Sequence, residues 1–249
     1  MKIIQVSDLH LVPPGERLFG SDPLARLEDC IADINTHHGD AGLVVFSGDL
    51  ANDGQREAYA ALAERLDALE PPYRLMLGNH DDRAAFAGFF PQGLAADGFA
   101  HSLADFPAGR IVLADTLEPG RVEGRLYGAR LSWLDAALTG AEHVLLFLHH
   151  PPGPIGVPSL DDTRLADGER LRTLLRRHGN VRHIFAGHVH RLATGSWGGI
   201  PFSTLRGTNH QSALNLEGPH RVSFEPPAYA VILAEGADVV VHPHEFPHR

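Results

Sequence analysis

Ten Asp, Asn and His side chains stand in five short clusters: Asp8-Leu9-His10, Gly48-Asp49, Gly78-Asn79-His80-Asp81, His149-His150 and Gly187-His188-Val189-His190. Such a set, with no cysteine among its members, offers oxygen and nitrogen donors suited to manganese, iron, zinc or cobalt, and not to Cu(I) or an iron–sulfur cluster. Taken alone, each residue also reads as a turn former or a satisfied polar group. Seven such side chains are already too many for a mononuclear site. Two metals about 3.5–4 Å apart, sharing one carboxylate, use them fully and generate a bridging hydroxide for in-line attack on phosphorus. The glycines of Gly48-Asp49, Gly78-Asn79 and Gly187-His188 permit tight turns and close backbone approach at a crowded centre.

Each cluster follows a short apolar run, so the positioning elements are strands. Residues 3–6, 43–46, 73–77, 144–148 and 183–185 read as strands that run into the five clusters. Between them, residues 23–38, 55–69, 82–89, 129–138 and 167–178 carry helical composition and spacing, and 110–114 is a further strand. This alternation predicts an α/β fold. Ligands in open α/β sheets bind outside the carboxyl ends of the strands, so the five loops should converge on one sheet edge. From Leu192 helical periodicity ends, and strand candidates near Phe202 and Val222, at 229–233 and at 239–241, predict an antiparallel tail. Residues 151–161 form a Pro/Gly-rich loop without periodicity, and no repeat or linker divides the 249 residues, which predicts a single domain over 1–249.

Composition narrows the function. The net charge of −10, from 21 basic and 31 acidic residues, argues against a surface for a nucleic-acid polymer. One lysine, Lys2, excludes a Walker A loop and a lysine Schiff base elsewhere in the chain. One cysteine, Cys30, excludes an intrachain disulfide and, with no secretory leader or run of about 20 apolar residues, predicts a cytoplasmic protein without membrane contact.

The five blocks, in this order over Ser7 to His190, resemble the calcineurin-like metallophosphoesterase superfamily, whose pattern is Asp-x-His, Gly-Asp, Gly-Asn-His-Asp/Glu, His and Gly-His-x-His. Arg17-Leu18-Phe19-Gly20, Gly78-Asn79-His80-Asp81-Asp82 and His149-His150-Pro151-Pro152 are similar to the branch of class III cyclic nucleotide phosphodiesterases and glycerophosphodiesterases. The resemblance implies a four-layer α/β/β/α sandwich of two mixed sheets flanked by helices. It implies two divalent ions, iron, manganese or zinc, with Asp8, His10 and His190 on one, Asn79, His149 and His188 on the other, and Asp49 bridging. It makes His80 the catalytic histidine at the leaving group, with Asp81 orienting its ring, and places Asn79, His80 and, from Thr208-Asn209-His210, His210 at the substrate. Asp49 is followed by Leu50-Ala51-Asn52-Asp53 where the Ser/Thr protein phosphatases carry Asp-Arg-Gly, which argues against that activity.

The expected function is hydrolysis of phosphodiesters, foremost 3′,5′-cyclic nucleotides such as cAMP, with glycerophosphodiesters as the alternative. A non-catalytic scaffold of this fold would lack part of the donor set. The partners expected are a small diester substrate and further copies of the chain in a homodimer or larger homo-oligomer. Neutral or weakly basic donors at Asn52, Asn209 and His210 suit a singly charged diester better than a dianion. Three other features read as structural. His150 supports its neighbours, and His37-His38 and His178 sit at helix ends before glycines. The string His244-Glu245-Phe246-Pro247-His248 matches the zincin pattern, but its prolines preclude the helix that pattern needs.

Overall fold

A computed structural model describes residues 1–107 and 109–247. The first half alternates as expected: β1 (Lys2–Val6), α1 (Pro23–His38), β2 (Leu43–Ser47), α2 (Arg56–Leu66), β3 (Tyr73–Met76) and α3 (Arg83–Ala87). There follow β4 (Ser102–Phe106), β5 (Gly109–Ala114), α4 (Gly128–Leu138), β6 (Val144–Leu148), α5 (Pro158–Asp161), α6 (Gly168–His178) and β7 (Val181–Ala186). The rest is strand: β8 (Ala193–Trp197), β9 (Ile200–Thr204), β10 (Gln211–Ser212), β11 (Val222–Ser223), β12 (Ala228–Glu235) and β13 (Asp238–Glu245).

Two large sheets result, in the orders β13-β12-β1-β2-β3 and β4-β5-β6-β7-β9-β8, with β10-β11 as a separate ribbon. Strands β1, β2 and β3 are parallel, as are β5, β6, β7 and β9, while β12, β13, β4 and β8 join antiparallel. Both sheets are therefore mixed. Their facing sides share one core, in which Ile3, Val45 and Met76 meet Leu113, Phe147 and Phe185. Leu27, Ile31 and Ile34 of α1 and Tyr59 and Leu62 of α2 cover the outer side of the first sheet. Leu134 and Leu138 of α4 and Leu171 and Leu175 of α6 cover the outer side of the second. This is the α/β/β/α layering expected from the resemblance.

Three expectations are corrected. The loops bearing the five clusters do not lie on one sheet edge: those after β1, β2 and β3 belong to the first sheet and those after β6 and β7 to the second. The tail is not wholly antiparallel, because β9 pairs in parallel with β7. Residues 151–161 end in the short helix α5, whose Asp161 carboxylate accepts from the Ile155 and Gly156 N–H groups and closes the loop on itself. Strands β4 and β8, not expected from the sequence, carry a weak signal; β4 alternates half-buried with exposed residues, and β8 reads Ala-Thr-Gly-Ser-Trp.

The helix ends follow capping chemistry. Asp22 accepts from the Leu24 and Ala25 N–H groups at the start of α1, and Gly179, at φ 68°, closes α6 in the left-handed conformation after His178. His244 and Glu245 lie in β13, so they have no helical register with one another; His248 lies outside the described residues. Among the described residues no helix is long and apolar enough to cross a membrane.

Candidate metal centre

The parallel strands β1 and β2 deliver their C-terminal loops side by side. The Asp8 N–H donates to Gly48 O (3.1 Å), the His10 N–H to Asp49 O (2.9 Å) and the Leu11 N–H to Leu50 O (3.0 Å), which extends the pairing past the strands and stacks the first two clusters. The second sheet is tied on by the His188 N–H, which donates to both Asp8 carboxylate oxygens at 3.0 and 3.2 Å. A further tie is His149, whose Nδ1–H donates to Ser47 O at 2.8 Å.

Left-handed backbone aims the side chains. Asp8, His10, Asp49, His188 and His190 have φ of 55°, 46°, 51°, 69° and 45°. For residues with a Cβ this conformation is costly and clusters at functional sites. Glycines supply the room: a Cβ on Gly78 would meet Asp49 Oδ1 and His149 Nε2, and one on Gly48, itself at φ 105°, would meet the His149 ring.

Asp8, His10, Asp49, His149 and His190 are buried, Asn79 and His188 half-buried, and His80 exposed. Around Asp49 the donors form two groups. Asp49 Oδ2 lies 3.5 Å from His10 Nε2 and 3.3 Å from His149 Nε2, while Oδ1 accepts from the His80 N–H at 2.9 Å. On one side His10 Nε2 is 2.9 Å from His190 Nε2, which in turn is 3.5 Å from Asp8 Oδ1. On the other, His188 Nδ1 is 2.8 Å from Asn79 Oδ1.

The outer partners decide which nitrogens carry lone pairs. His10 Nδ1–H donates to Asn52 Oδ1 (3.1 Å), His190 Nδ1–H to His210 O (2.9 Å) and His188 Nε2–H to Thr163 Oγ1 (3.0 Å). The inward nitrogens are therefore lone-pair nitrogens. Two of them face each other at 2.9 Å between His10 and His190, and His149 Nε2 is buried with no hydrogen-bond partner. Lone pairs and carboxylate oxygens converging in a buried space repel unless a cation sits among them, so the donors present fit divalent metal ions. Protons answer the same field. Burial lowers the His149 pKa, but the Asp49 carboxylate outweighs it and lifts the group to about 9. Burial would raise Asp49, and His149 holds it well below the usual carboxylate range. His10 is driven well below its ordinary value by burial and by His190.

The remaining site residues divide. His80 lies over His10, with ring centroids 4.6 Å apart, and its Nδ1–H donates to Asn52 O at 2.6 Å, leaving Nε2 unengaged by that bond. Asp81 is turned elsewhere, which corrects its expected role. Its buried carboxylate accepts from the N–H groups of Gly78 (2.9 Å), Ala51 (3.0 Å) and Leu50 (3.1 Å) and from Tyr59 Oη (2.9 Å). It clamps the loops after β2 and β3 together, and the Asn52 carbonyl orients His80. Burial and the nearby Asp49 charge raise the Asp81 pKa to about 6. His150 supports its neighbours: its Nδ1 pairs with Thr116 Oγ1 (2.8 Å) and its Nε2–H donates to Val122 O (3.0 Å).

His210 does reach the centre, with its ring 4.4 Å from that of His190 and 5.0 Å from that of His10. Burial and then His190 lower its pKa to about 3. The expectation for Asn52 and Asn209 is corrected, because their amides serve the protein: Asn52 holds His10, and Asn209 Oδ1 accepts from Ser21 Oγ. Sequence reasoning missed Tyr59, Thr116 and Thr163, which hold Asp81, His150 and His188 from 22 to 34 positions away and follow no motif.

Residues 1–192 match the calcineurin-like phosphoesterase family. The chain is 42% identical to a probable cyclic nucleotide phosphodiesterase of Rhodopseudomonas palustris, over 99% of this chain and 93% of that protein. It is 30% identical to a glycerophosphodiester phosphodiesterase of Enterobacter lignolyticus, over 100% of this chain and 92% of that one. It is also 30% identical to the 3′,5′-cyclic adenosine monophosphate phosphodiesterase of Escherichia coli K12, over 80% and 73%. In fold it is similar to a dimetal phosphatase from Danio rerio, with a TM-score of 0.74 at 18% identity, over 98% of this chain and 96% of that one.

Proposed function

The chain belongs to the calcineurin-like phosphoesterase family, and from that premise we propose how its centre cleaves phosphodiesters and which diesters it takes. It is a metal-dependent phosphoric diester hydrolase. Asp8, His10 and His190 would hold one ion, Asn79, His149 and His188 the other, and Asp49 would bridge them. The observation that carries this division is the single oxygen Asp49 Oδ2, which lies 3.5 Å from His10 Nε2 and 3.3 Å from His149 Nε2, one nitrogen of each group. Iron, manganese and zinc suit the donors, which are nitrogen and oxygen only. Bound there, divalent ions supply a water of lowered pKa and neutralise charge on the phosphoryl oxygens.

The chain's own residues do the rest. His80 stays out of the donor set; with Nδ1–H held by the Asn52 carbonyl, the imidazolium form carries a second proton on Nε2, which serves the phosphate and passes to the departing alkoxide, leaving the neutral ring. Asn79 and His210 complete the substrate contacts. No arginine or lysine contacts these donors through a hydrogen bond or ion pair among the described residues, so no clamp for a second phosphate charge stands at the centre, and a singly charged diester suits it better than a monoester dianion. The substrates are 3′,5′-cyclic nucleotides, cAMP among them, a reading supported by the names of the Rhodopseudomonas and Escherichia relatives. Glycerophosphodiesters are the second reading, which the Enterobacter relative supports.

The test is a substrate panel on protein stripped of metal and reconstituted with manganese, zinc or iron. The expected order of kcat/KM is cAMP and bis(p-nitrophenyl) phosphate well above p-nitrophenyl phosphate. Equal or greater efficiency on the monoester overturns the diester assignment, and glycerophosphocholine turnover without cAMP turnover replaces the first substrate reading by the second.

A further inference from the structure

The motif Arg17-Leu18-Phe19-Gly20 takes no part in holding metal, yet its third residue is unusual. Phe19 has φ of 49° and leaves 54% of its surface exposed, so a strained backbone presents a phenyl ring to solvent with no compensating burial. One side of that ring packs on His210, 4.7 Å between centroids, and His210 in turn lies against His190 and His10. Phe19 also lines a cavity of about 590 Å³ together with Arg17, Ser21, Asp22, Arg26 and Phe224, a size within the range of small-molecule sites. Phe224, 68% exposed, follows directly on β11, which pairs with β10 immediately after His210. Both phenyl rings are thus tied to the segment that carries His210 into the centre.

The polar lining has a sign. Arg17 and Arg26 offer N–H donors and no acceptor. Arg17 spends Nη1 on Gly20 O (3.1 Å), and Arg26 Nη1 is buried without a hydrogen-bond partner. The one carboxylate in the lining, Asp22, accepts from the Leu24 and Ala25 N–H groups through Oδ1 alone, at 3.0 and 3.2 Å, so two guanidinium groups stand against a single carboxylate. A cationic headgroup such as choline or ethanolamine would meet two guanidinium groups there. A flat ring rich in acceptors would meet two phenyl faces and free donors.

We infer that this cavity binds the base of a cyclic nucleotide, stacked on Phe19 and Phe224 with its acceptor edge toward the arginines, and that it sets a preference for purines with guanine first. Guanine shows O6 and N7, two adjacent acceptors, whereas adenine places an amino donor beside N7 and cytosine offers a single smaller ring with an amino donor. The inference rests on the cyclic-nucleotide reading of the same centre and adds which part of the substrate selects it.

The test compares kcat and KM for cyclic GMP, cyclic AMP, cyclic CMP and methyl p-nitrophenyl phosphate, which has no base, on the metal-loaded full chain and on Phe19→Ala, Phe224→Ala and Arg17→Met. The wild type should prefer cyclic GMP over cyclic CMP by about tenfold or more, as one well-placed base contact provides. Each phenylalanine variant should raise KM for both purine substrates by about tenfold, in line with the worth of base stacking, and Phe224→Ala should leave methyl p-nitrophenyl phosphate within about twofold. Arg17→Met should erase the advantage of cyclic GMP over cyclic AMP. Parallel losses on all four substrates in Phe224→Ala, or unchanged KM for the purines, overturn the base site while the cyclic-nucleotide reading stands. A wild type that cleaves methyl p-nitrophenyl phosphate but no cyclic nucleotide overturns that reading and this inference with it.

Discussion

Two histidine clusters occupy opposite situations in this molecule. At the centre, Asp8, His10, Asp49, His149, His188 and His190 come from loops of both sheets, five of them in left-handed backbone, with lone-pair nitrogens aimed inward at one another. At the edge, Asp33, His37 and His38 of α1 meet His244 of β13. His37 Nε2 and His244 Nε2 lie 3.8 and 3.3 Å from the Asp33 carboxylate, which also accepts from Tyr229 Oη at 2.6 Å. The residue types are alike, but the edge cluster sits on regular helix and strand, and the His37 and His244 side chains are 56% and 41% exposed. Among the described residues, groups of three or more donors converging within 4.8 Å occur only at the centre. Enrichment in histidine does not make a metal site. Backbone strain and burial, which hold the donors close against their repulsion, do.

Several experiments can break this contrast. Asp49→Ala should lower kcat by about 10⁴-fold or more, as expected for the loss of one member of a unit that acts together, and metal analysis should show the ions depleted. Full activity in that variant would remove the two-group arrangement around Oδ2. His80→Ala should lower kcat by about 10²–10⁴-fold with metal content unchanged, and the loss should be smallest with p-nitrophenolate, which leaves without a proton. A collapse of metal content alongside rate would place His80 among the donors instead.

Asp81→Ala separates the clamp from the chemistry. It leaves the Leu50, Ala51 and Gly78 N–H groups and the Tyr59 hydroxyl without their acceptor, which should cost about 3 kcal/mol or more and lower Tm by roughly 6–12 °C. An unchanged melting curve would mean that the two loops hold without it. At the edge cluster, His244→Ala should leave kcat/KM and metal content within about twofold, since a partly exposed ion pair contributes at most ~1 kcal/mol. A fall in active-site metal would erase the distinction between the two clusters.

The smallest effect is a matter of pH. Burial, then Lys2, His244 and His37, lower the His38 pKa, with Asp33 opposing. The folded state therefore resists a proton that the unfolded chain takes up near pH 6.5. Stability from this group is intact above that pH and declines as pH falls toward the lowered folded value. His38→Asn should flatten the decline, read as Tm between pH 7.5 and 5; an identical slope in the variant would show that His38 is not its source.

Much of the fold and centre was legible before any coordinates, and the reason lies in local chemistry. Runs such as Val144–Leu148, buried along their whole length, announce interior strands, and Asp22 before Pro23 marks where α1 starts. Strand β4 carries a weak signal because its Leu103 and Asp105 face solvent while Ala104 and Phe106 are only half-buried, so no side chain of it is fully buried. Strand β9 joined β7 in parallel where an antiparallel tail was expected, because pairing direction depends on where the chain returns and not on which residues it carries. Asp81 was misread for a similar reason: adjacency to His80 in the chain says nothing about which way a buried carboxylate turns.

The sequence by itself determined the donor chemistry, the strand–loop positions that carry it and the family pattern, because side-chain type and alternation within a few residues are local properties. The two-sheet layering came with the family resemblance, but only the tertiary structure decided that loops of both sheets, and not of one edge, close on the centre, and that Asn52 steers His80 while Asp81 braces the loops. Only it decided that Phe19 and Phe224, 205 positions apart, wall one cavity. Those outcomes depend on long-range packing of the two sheets across the core formed by Ile3, Val45, Phe147 and Phe185, and contacts between residues so distant in the chain form only when that core closes.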